Sequence, residues 1–170
     1  MRAVTLILTS LFILTTTGCA NNTEHSTAEQ KETTYLTYVK TGDKVPVTQF
    51  VDIQGNSIDL SKSRNNKLLI LFATWCHDSQ RTIKHLTASD IYLSPNVDII
   101  GIGREESKEA LDKFAAEYQL NFTLVADTDR SIYNQFANTG IPRLILLDAD
   151  NNVVKTLIGE TENAITEVVW

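Results

Sequence analysis

A nearly continuous apolar run, Lys67–Ala73, is followed closely by a Trp-Cys pair, and this combination constrains the fold more than any other feature of the chain. Such a run predicts a central strand covered on both faces of a sheet. Ser79–Leu86 then predicts a helix, although Lys84 and His85 give it a polar side. The cysteine, Cys76, is therefore expected where a buried strand passes into a helix.

The remaining sequence between residues 35 and 170 alternates predicted strands and helices. Val45–Val51 and Ser57–Leu60 flank the turn Gln54–Asn56 and predict a hairpin. Further strands are predicted at Val97–Ile102, Phe122–Val125, Arg143–Leu147 and Val153–Leu157, and helices at Ser107–Tyr118, Ser131–Phe136 and Asn163–Trp170. After the hairpin, this order predicts an α/β fold with a mixed central sheet and helices on both faces.

The first nineteen residues carry a targeting pattern, in which Arg2 precedes the apolar stretch Ala3–Leu14 and Gly18-Cys19 follows. The stretch is shorter than the roughly 20 residues that a bilayer span needs. It resembles a lipoprotein signal, which implies that residues 1–18 are removed and that Cys19 is lipidated. An ordinary secretory signal or a membrane anchor is the alternative. Residues 19–34 are predicted to form a flexible tether, because no large apolar side chain follows Cys19 there.

Composition bounds the possible partners. The formal net charge is −6, and no run of basic residues offsets it. This acidic balance argues against nonspecific binding of nucleic acid. The chain has two cysteines, and because Cys19 belongs to the targeting segment, Cys76 is expected to act without it.

The neighbours of Cys76 favour a reactive thiol. Unpaired backbone N–H groups at a helix start stabilise negative charge and so favour the thiolate, which is the nucleophilic form. Trp75 offers a shield for the sulfur and a flat surface for a partner. A protonated His77 would stabilise the thiolate and Asp78 would oppose it, a balance that the sequence leaves open.

The segment Phe72–Cys76 resembles the start of the W-C-x-x-C redox motif of thioredoxin-like proteins, and most closely that of the TlpA-like envelope-anchored disulfide reductases. Tyr38–Pro46, Gly101–Glu106 and the tripeptide Gly140–Pro142 resemble further parts of that family. The resemblance implies a thioredoxin-like fold over residues 35–170. It also implies a cis peptide bond before Pro142 and a substrate-binding backbone at Ile141.

Two positions depart from the family pattern. Ser79 stands where the resolving cysteine belongs, and a hydroxyl cannot form a disulfide. The hydroxyl of Ser79 is expected to donate a hydrogen bond to the Cys76 thiolate instead. Thr82 and Lys84 replace a glutamate and a proline that many TlpA-like proteins carry, so the resemblance does not extend to the acid-assisted proton transfer of that family.

These residues predict an enzyme that performs thiol–disulfide exchange through one cysteine. Cys76, Ser79, Trp75 and His77 would form the catalytic site, with no cofactor and no metal. Its partners would be protein thiols and disulfides or small thiols of the bacterial envelope, met by a membrane-anchored monomer. The alternative is a binding module that keeps the fold and captures or docks clients.

A thiol peroxidase and a metal site are weaker alternatives. Peroxiredoxins need a proline seven residues and a threonine three residues before the cysteine, where this chain has Leu69 and Ala73. His77 and His85 are poorly spaced for a shared metal and are expected to be solvated. The acidic pair Glu105-Glu106 is interpreted as charge that favours a helix start. Asp127, Asp129 and Arg130 are predicted to form a turn and a cap.

Overall fold

A computed structural model describes residues 34–170 of the chain. The predicted leader, the lipidation site at Cys19 and all of the tether except Thr34 lie outside these residues. None of the helices in the described part has both the length and the apolar character needed to cross a membrane.

The described residues form seven strands, two α-helices and three 3-10 turns. The strands are β1 (Gln49–Val51), β2 (Ser57–Asp59), β3 (Asn66–Phe72), β4 (Val97–Arg104), β5 (Thr123–Asp127), β6 (Arg143–Leu147) and β7 (Val153–Ile158). The α-helices are α1 (His77–Thr87) and α2 (Lys108–Tyr118), and the 3-10 turns are Leu60–Lys62, Tyr133–Gln135 and Ala164–Glu167.

Five strands form one mixed sheet in the order β5-β4-β3-β6-β7, and β1 pairs with β2 in a separate antiparallel hairpin. β3, β4 and β5 are parallel neighbours, whereas β6 runs antiparallel to both β3 and β7. The parallel pairs require crossovers, and α1 and α2 supply them. The predicted mixed sheet and N-terminal hairpin are confirmed, with β3 at the centre.

Alternate residues of β3 face two different layers, as the continuous apolar run predicts. Leu68, Ile70 and Phe72 pack with side chains of both α-helices. Leu69 and Leu71 face the opposite layer. That layer contains Phe50 and Leu60 from the hairpin region together with Tyr133 and Phe136. Both α-helices therefore lie on one face, and the helical segments that contribute to the opposite layer within residues 34–170 are two 3-10 turns, Leu60–Lys62 and Tyr133–Gln135.

Two predicted α-helices are single 3-10 turns. The Asp127 carboxylate accepts hydrogen bonds from the backbone N–H groups of Ile132 and Tyr133, which fixes a tight turn at Tyr133–Gln135. Arg130 just before it has a left-handed φ of 63°, which an α-helix does not allow. At the C-terminus, the indole N–H of Trp170 donates to the Leu147 carbonyl, so the chain extends away after Ala164–Glu167.

Other boundaries shift for identifiable reasons. The first strand begins at Gln49 instead of Val45, because the Val45 N–H donates to the Asn151 carbonyl. Helix α2 starts where predicted, since the Ser107 hydroxyl caps it by accepting a hydrogen bond from the Ala110 N–H. Asp127, Asp129 and Arg130 form the predicted turn, with Asp129 accepting from the Ser131 N–H.

Candidate active site

Cys76 lies at the junction of the central strand and the first helix. It is the N-cap residue of α1 and has extended backbone angles, φ −84° and ψ 120°. Its N–H donates to the Ala73 carbonyl at 3.2 Å, and its own carbonyl accepts from the Gln80 N–H at 2.9 Å. The thiol is half-buried, and no other cysteine occurs among residues 34–170. Cys76 thus lies at the start of a helix, where unpaired backbone N–H groups favour negative charge, although its side chain makes no capping hydrogen bond to them.

The second half of the site is the loop that precedes β6. The Cys76 thiol donates to the Ile141 carbonyl oxygen, with 3.7 Å between sulfur and oxygen. The Ile141–Pro142 peptide bond is cis, and Gly140 before it has a φ of 86°, which favours glycine. The two segments that the sequence marks as a site, 65 residues apart, are therefore in contact.

Two buried side chains hold this loop. The Tyr133 hydroxyl donates to the Gly140 carbonyl at 2.7 Å. The Arg143 guanidinium donates from Nε to the same carbonyl at 3.2 Å and also donates to the Thr139 carbonyl. A third bond, 2.6 Å long, joins Arg143 to the Thr37 hydroxyl. Arg143 is 1% exposed and forms no salt bridge within the described residues.

The sequence predicts that Arg143 begins a strand and indicates no role for it at the site. An arginine at the start of a predicted buried strand was the available signal, since such a charge is seldom buried without several partners.

Tyr35 covers the loop from the N-terminal side. Its ring atoms lie 3.0 Å from where a side chain on Gly140 would begin, so any other residue there would push the Tyr35 ring aside. The Arg143 guanidinium carbon lies 5.7 Å from the centre of the Tyr35 ring. A side-chain hydrogen bond with Glu160 and the negative charge of that carboxylate raise the pKa of the Tyr35 phenol.

The residues flanking Cys76 differ in exposure. Trp75 is 62% exposed, and the Arg104 guanidinium carbon lies 5.7 Å from its ring centre. The indole is thus available to a partner while one cation supports it. His77 is exposed and makes no side-chain hydrogen bond within the described part of the chain, and Asp78 forms an ion pair with Arg81 at 2.7 Å.

The structure does not show the predicted bond from Ser79 to the sulfur. Ser79 is fully buried, and its hydroxyl accepts a weak hydrogen bond from the Ala73 N–H at 3.4 Å. No hydrogen bond joins Ser79 to Cys76 among residues 34–170. The reason is positional, because the first turn of α1 directs this hydroxyl toward the end of β3.

Glu106 has a structural contact beyond the helix-start charge that its sequence position predicts. Glu106 is 4% exposed, and its Oε1 accepts from the Thr74 N–H at 2.6 Å and from the Thr74 hydroxyl at 2.7 Å. Its neighbour Glu105 is exposed instead, in a left-handed conformation with φ 60°. Sequence alone could not distinguish these adjacent glutamates, because the direction of each side chain depends on that left-handed turn.

Thr82, at the position of the family glutamate, lies near the proline loop. Its hydroxyl donates to the Gly159 carbonyl at 3.2 Å, and the Gly159 N–H donates to the Pro142 carbonyl at 2.8 Å. Lys84 instead points to α2, with its Nζ 5.7 Å from the Tyr118 ring centre. Residues 34–170 contain no group of three His, Cys, Asp or Glu side chains placed to hold a metal ion.

The fold and the site together define a thioredoxin-fold protein whose thiol faces a cis-proline loop. The Redoxin family profile matches residues 40–168, and the chain belongs to the Redoxin family. Thiol-disulfide oxidoreductase ResA of Bacillus subtilis (strain 168) is 28% identical over 130 residues, which cover 75% of this chain and 73% of that protein.

Solved structures agree on the fold. A solution structure from Bacteroides thetaiotaomicron has a TM-score of 0.70 and 24% identity, and the match covers 78% of this chain and 87% of that chain. A secreted disulfide oxidoreductase from Mycobacterium tuberculosis has a TM-score of 0.57 and 22% identity, covering 65% of this chain and 81% of its own. At this level of identity the similarity establishes the thioredoxin-like fold.

Proposed function

We propose that this protein is a thiol–disulfide oxidoreductase that works through Cys76 as its single site thiol. The observation that carries the proposal is the 3.7 Å contact between the Cys76 sulfur and the Ile141 carbonyl. In this contact a half-buried thiol at a helix start meets the loop that carries the cis-proline bond. The activity named for the Bacillus subtilis relative supports the same chemistry.

The atoms and electrons of the proposed exchange balance without a cofactor. The Cys76 thiolate attacks one sulfur of a client disulfide, which forms a mixed disulfide and releases the other sulfur as a thiolate that takes up a proton. Ser79 cannot complete the second step. A second thiol, from the same client or from a small molecule, therefore attacks the mixed disulfide and releases Cys76. When both thiols belong to one client, the net reaction is isomerisation.

Each site residue has a proposed role in this exchange. Cys76 is the nucleophile, and Trp75 offers an exposed indole to the client. His77 lies beside the thiol at the start of α1 and can stabilise the thiolate when protonated. Ile141 and Pro142 form the surface against which an extended client segment is held. Ser79 accepts a hydrogen bond from the Ala73 N–H and so supports the connection between β3 and α1.

In this proposal the N-terminal residues determine where in the cell the protein is located. Residues 1–18 would act as a signal, Cys19 would be lipidated, and residues 19–34 would tether the domain of residues 35–170 to an envelope membrane. A diacylglyceryl group meets the need for more than one acyl chain in stable anchoring. Metabolic labelling with a radioactive fatty acid tests this, since label is expected on the wild-type chain and not on Cys19→Ser.

The full chain carrying Cys19→Ser leaves Cys76 as its only thiol and suits the test of activity. We expect it to reduce or isomerise a scrambled-disulfide protein in the presence of a small thiol, and to lose that activity with Cys76→Ala. Equal activity of the two proteins would refute the proposal. Mixed disulfides that form at Cys76 but are not released by added thiol would favour the binding module instead.

A further inference from the structure

Glu106 is a buried carboxylate that the exchange chemistry does not itself use. Its Oε1 accepts two hydrogen bonds, and both come from Thr74. A carboxylate is costly to bury unless it is hydrogen-bonded, and these two bonds offset that cost. The carboxylate thus lies against the short connection, residues 73–76, that joins β3 to α1 and carries the thiol.

Every polar group of Thr74 is bonded. Its N–H and hydroxyl donate to Glu106, and its carbonyl accepts from the Gln80 side chain at 2.7 Å. The neighbouring Ala73 N–H donates to Ser79, and the Ala73 carbonyl accepts from the Cys76 N–H. Glu106 is the member of this network that comes from outside the β3–α1 region. It therefore fixes the position of residues 73–76 relative to the rest of the sheet.

The loop after β4 is shaped to bring Glu106 to this place. The left-handed Glu105 turns the chain, and its N–H donates to the Asp127 carbonyl at 2.8 Å. A side chain on Gly103 would begin 2.7 Å from Leu111 and 3.0 Å from the Cβ of Glu106. A side chain at the end of β4 would therefore displace the Leu111 side chain and crowd Glu106.

From these contacts we infer that Glu106 is a positioning residue for Cys76: through Thr74 it fixes the connection that holds the sulfur against the Ile141 carbonyl. This inference rests on the proposed exchange function. Misplacement of a reacting group by about 1 Å can cost on the order of 100-fold in rate. Loss of the carboxylate is therefore expected to slow the reaction of Cys76 with a disulfide by tenfold or more without changing the chemical steps.

The test compares Glu106→Ala with Glu106→Gln in the full Cys19→Ser chain. Glutamine keeps an acceptor oxygen for Thr74, and alanine does not. The rate constant for Cys76 with a small aromatic disulfide is measured beside the midpoint of denaturant unfolding. We expect the rate constant of Glu106→Ala to be at least tenfold lower than that of the parent. The rate constant of Glu106→Gln should lie within about threefold of the parent value.

A matched control separates positioning from general loss of stability. Lys67 is also fully buried, and its ammonium donates to the Ser63 and Ala149 carbonyls. It lies five residues before the end of β3, roughly 16 Å from that end at about 3.3 Å per residue. Lys67→Met is expected to lower the unfolding midpoint while leaving the Cys76 rate within twofold.

Thr74→Val supplies an independent check, because it removes the hydroxyl and keeps the side-chain shape. Its effect and that of Glu106→Ala are expected to be non-additive in the double variant, since Glu106→Ala already removes the bond that the Thr74 hydroxyl makes. The inference is overturned if Glu106→Ala reacts as fast as the parent, if Glu106→Gln gives no recovery, or if the two effects add. The proposed function fails separately, if the parent itself shows no Cys76-dependent exchange.

Discussion

The sulfur of Cys76 lies 3.7 Å from the carbonyl oxygen of Ile141, and each partner is held by its own set of buried hydrogen bonds. On the cysteine side, Glu106 fixes Thr74. On the proline-loop side, Arg143 and Tyr133 fix Gly140. The geometry of the site therefore depends on side chains that do not themselves meet a client.

Replacing Arg143 is expected to weaken both the fold and the site. Arg143→Met removes hydrogen bonds to Thr139, Gly140 and Thr37. The free energy of unfolding should fall by about 2–4 kcal/mol, because bonds from a charged donor contribute roughly 1.5–3 kcal/mol each and do not add fully. Urea titration measures this.

The conservative change Arg143→Lys is the control. Its unfolding free energy should lie between those of the parent and Arg143→Met, because an ammonium can keep one or two of these bonds. The rate of Cys76 with iodoacetamide should fall alongside stability in Arg143→Met. An unchanged unfolding free energy would show that the guanidinium does not hold the loop.

A cysteine at position 79 is expected to change how the mixed disulfide is resolved. Ser79 lies three residues after Cys76 on the same helix, and residues at this spacing share a face. Ser79→Cys should therefore release a Cys76-bound client tenfold or more faster than the parent does without added thiol. Quenched-flow trapping with mass spectrometry measures the lifetime of the mixed disulfide.

Ser79→Ala is the matched control for that change. It should not shorten the lifetime, and it should cost about 1 kcal/mol of unfolding free energy or less, because the bond from the Ala73 N–H is long. A Ser79→Cys protein that released its client no faster than Ser79→Ala would contradict the positional argument.

Trp75 is expected to matter for protein clients and not for stability. The side chain is 62% exposed, so Trp75→Ala should change the unfolding free energy by less than about 1 kcal/mol. The rate with a small aliphatic disulfide should stay within about threefold, whereas the rate with a folded protein disulfide should fall tenfold. Equal losses for both substrates would argue against the indole as a client contact.

Asp148, in the turn between β6 and β7, is expected to contribute to the free energy of unfolding near neutral pH and to lose that contribution in acid. The side chain and backbone N–H of Asn152 donate to Asp148 and hold the pKa of its carboxyl below the usual range. The unfolded chain binds this proton at higher pH than the folded chain does. The contribution is therefore present above about pH 4 and is lost as the pH falls through the lowered pKa.

Asp148→Ala tests the sign of this effect. The difference in unfolding free energy between the parent and the variant should be largest near neutral pH and should shrink as the pH falls below about 4. Urea titrations at several pH values measure it. A difference that stayed constant or grew in acid would show that Asp148 acts by some means other than its ionised carboxylate.

Most of the central architecture follows from local patterns. The apolar run before Trp75 determines a strand covered on both faces, and alternation of such strands with amphipathic segments determines a mixed sheet with crossover helices. The placement of Cys76 and Pro142 in one site came from resemblance to a family, because no pattern within either segment specifies a contact across 65 residues.

Only the tertiary structure decided which polar side chains support the thiol. Glu105 and Glu106 are equivalent in sequence, and a single left-handed residue sends one to solvent and the other to Thr74. Arg143 is buried because three acceptors converge on it, two from the loop just before it and one from Thr37, 106 residues away. The sequence determines periodicity and local turn chemistry. Contacts between separate loops depend on how the completed sheet places them, and so they could not be predicted from the sequence.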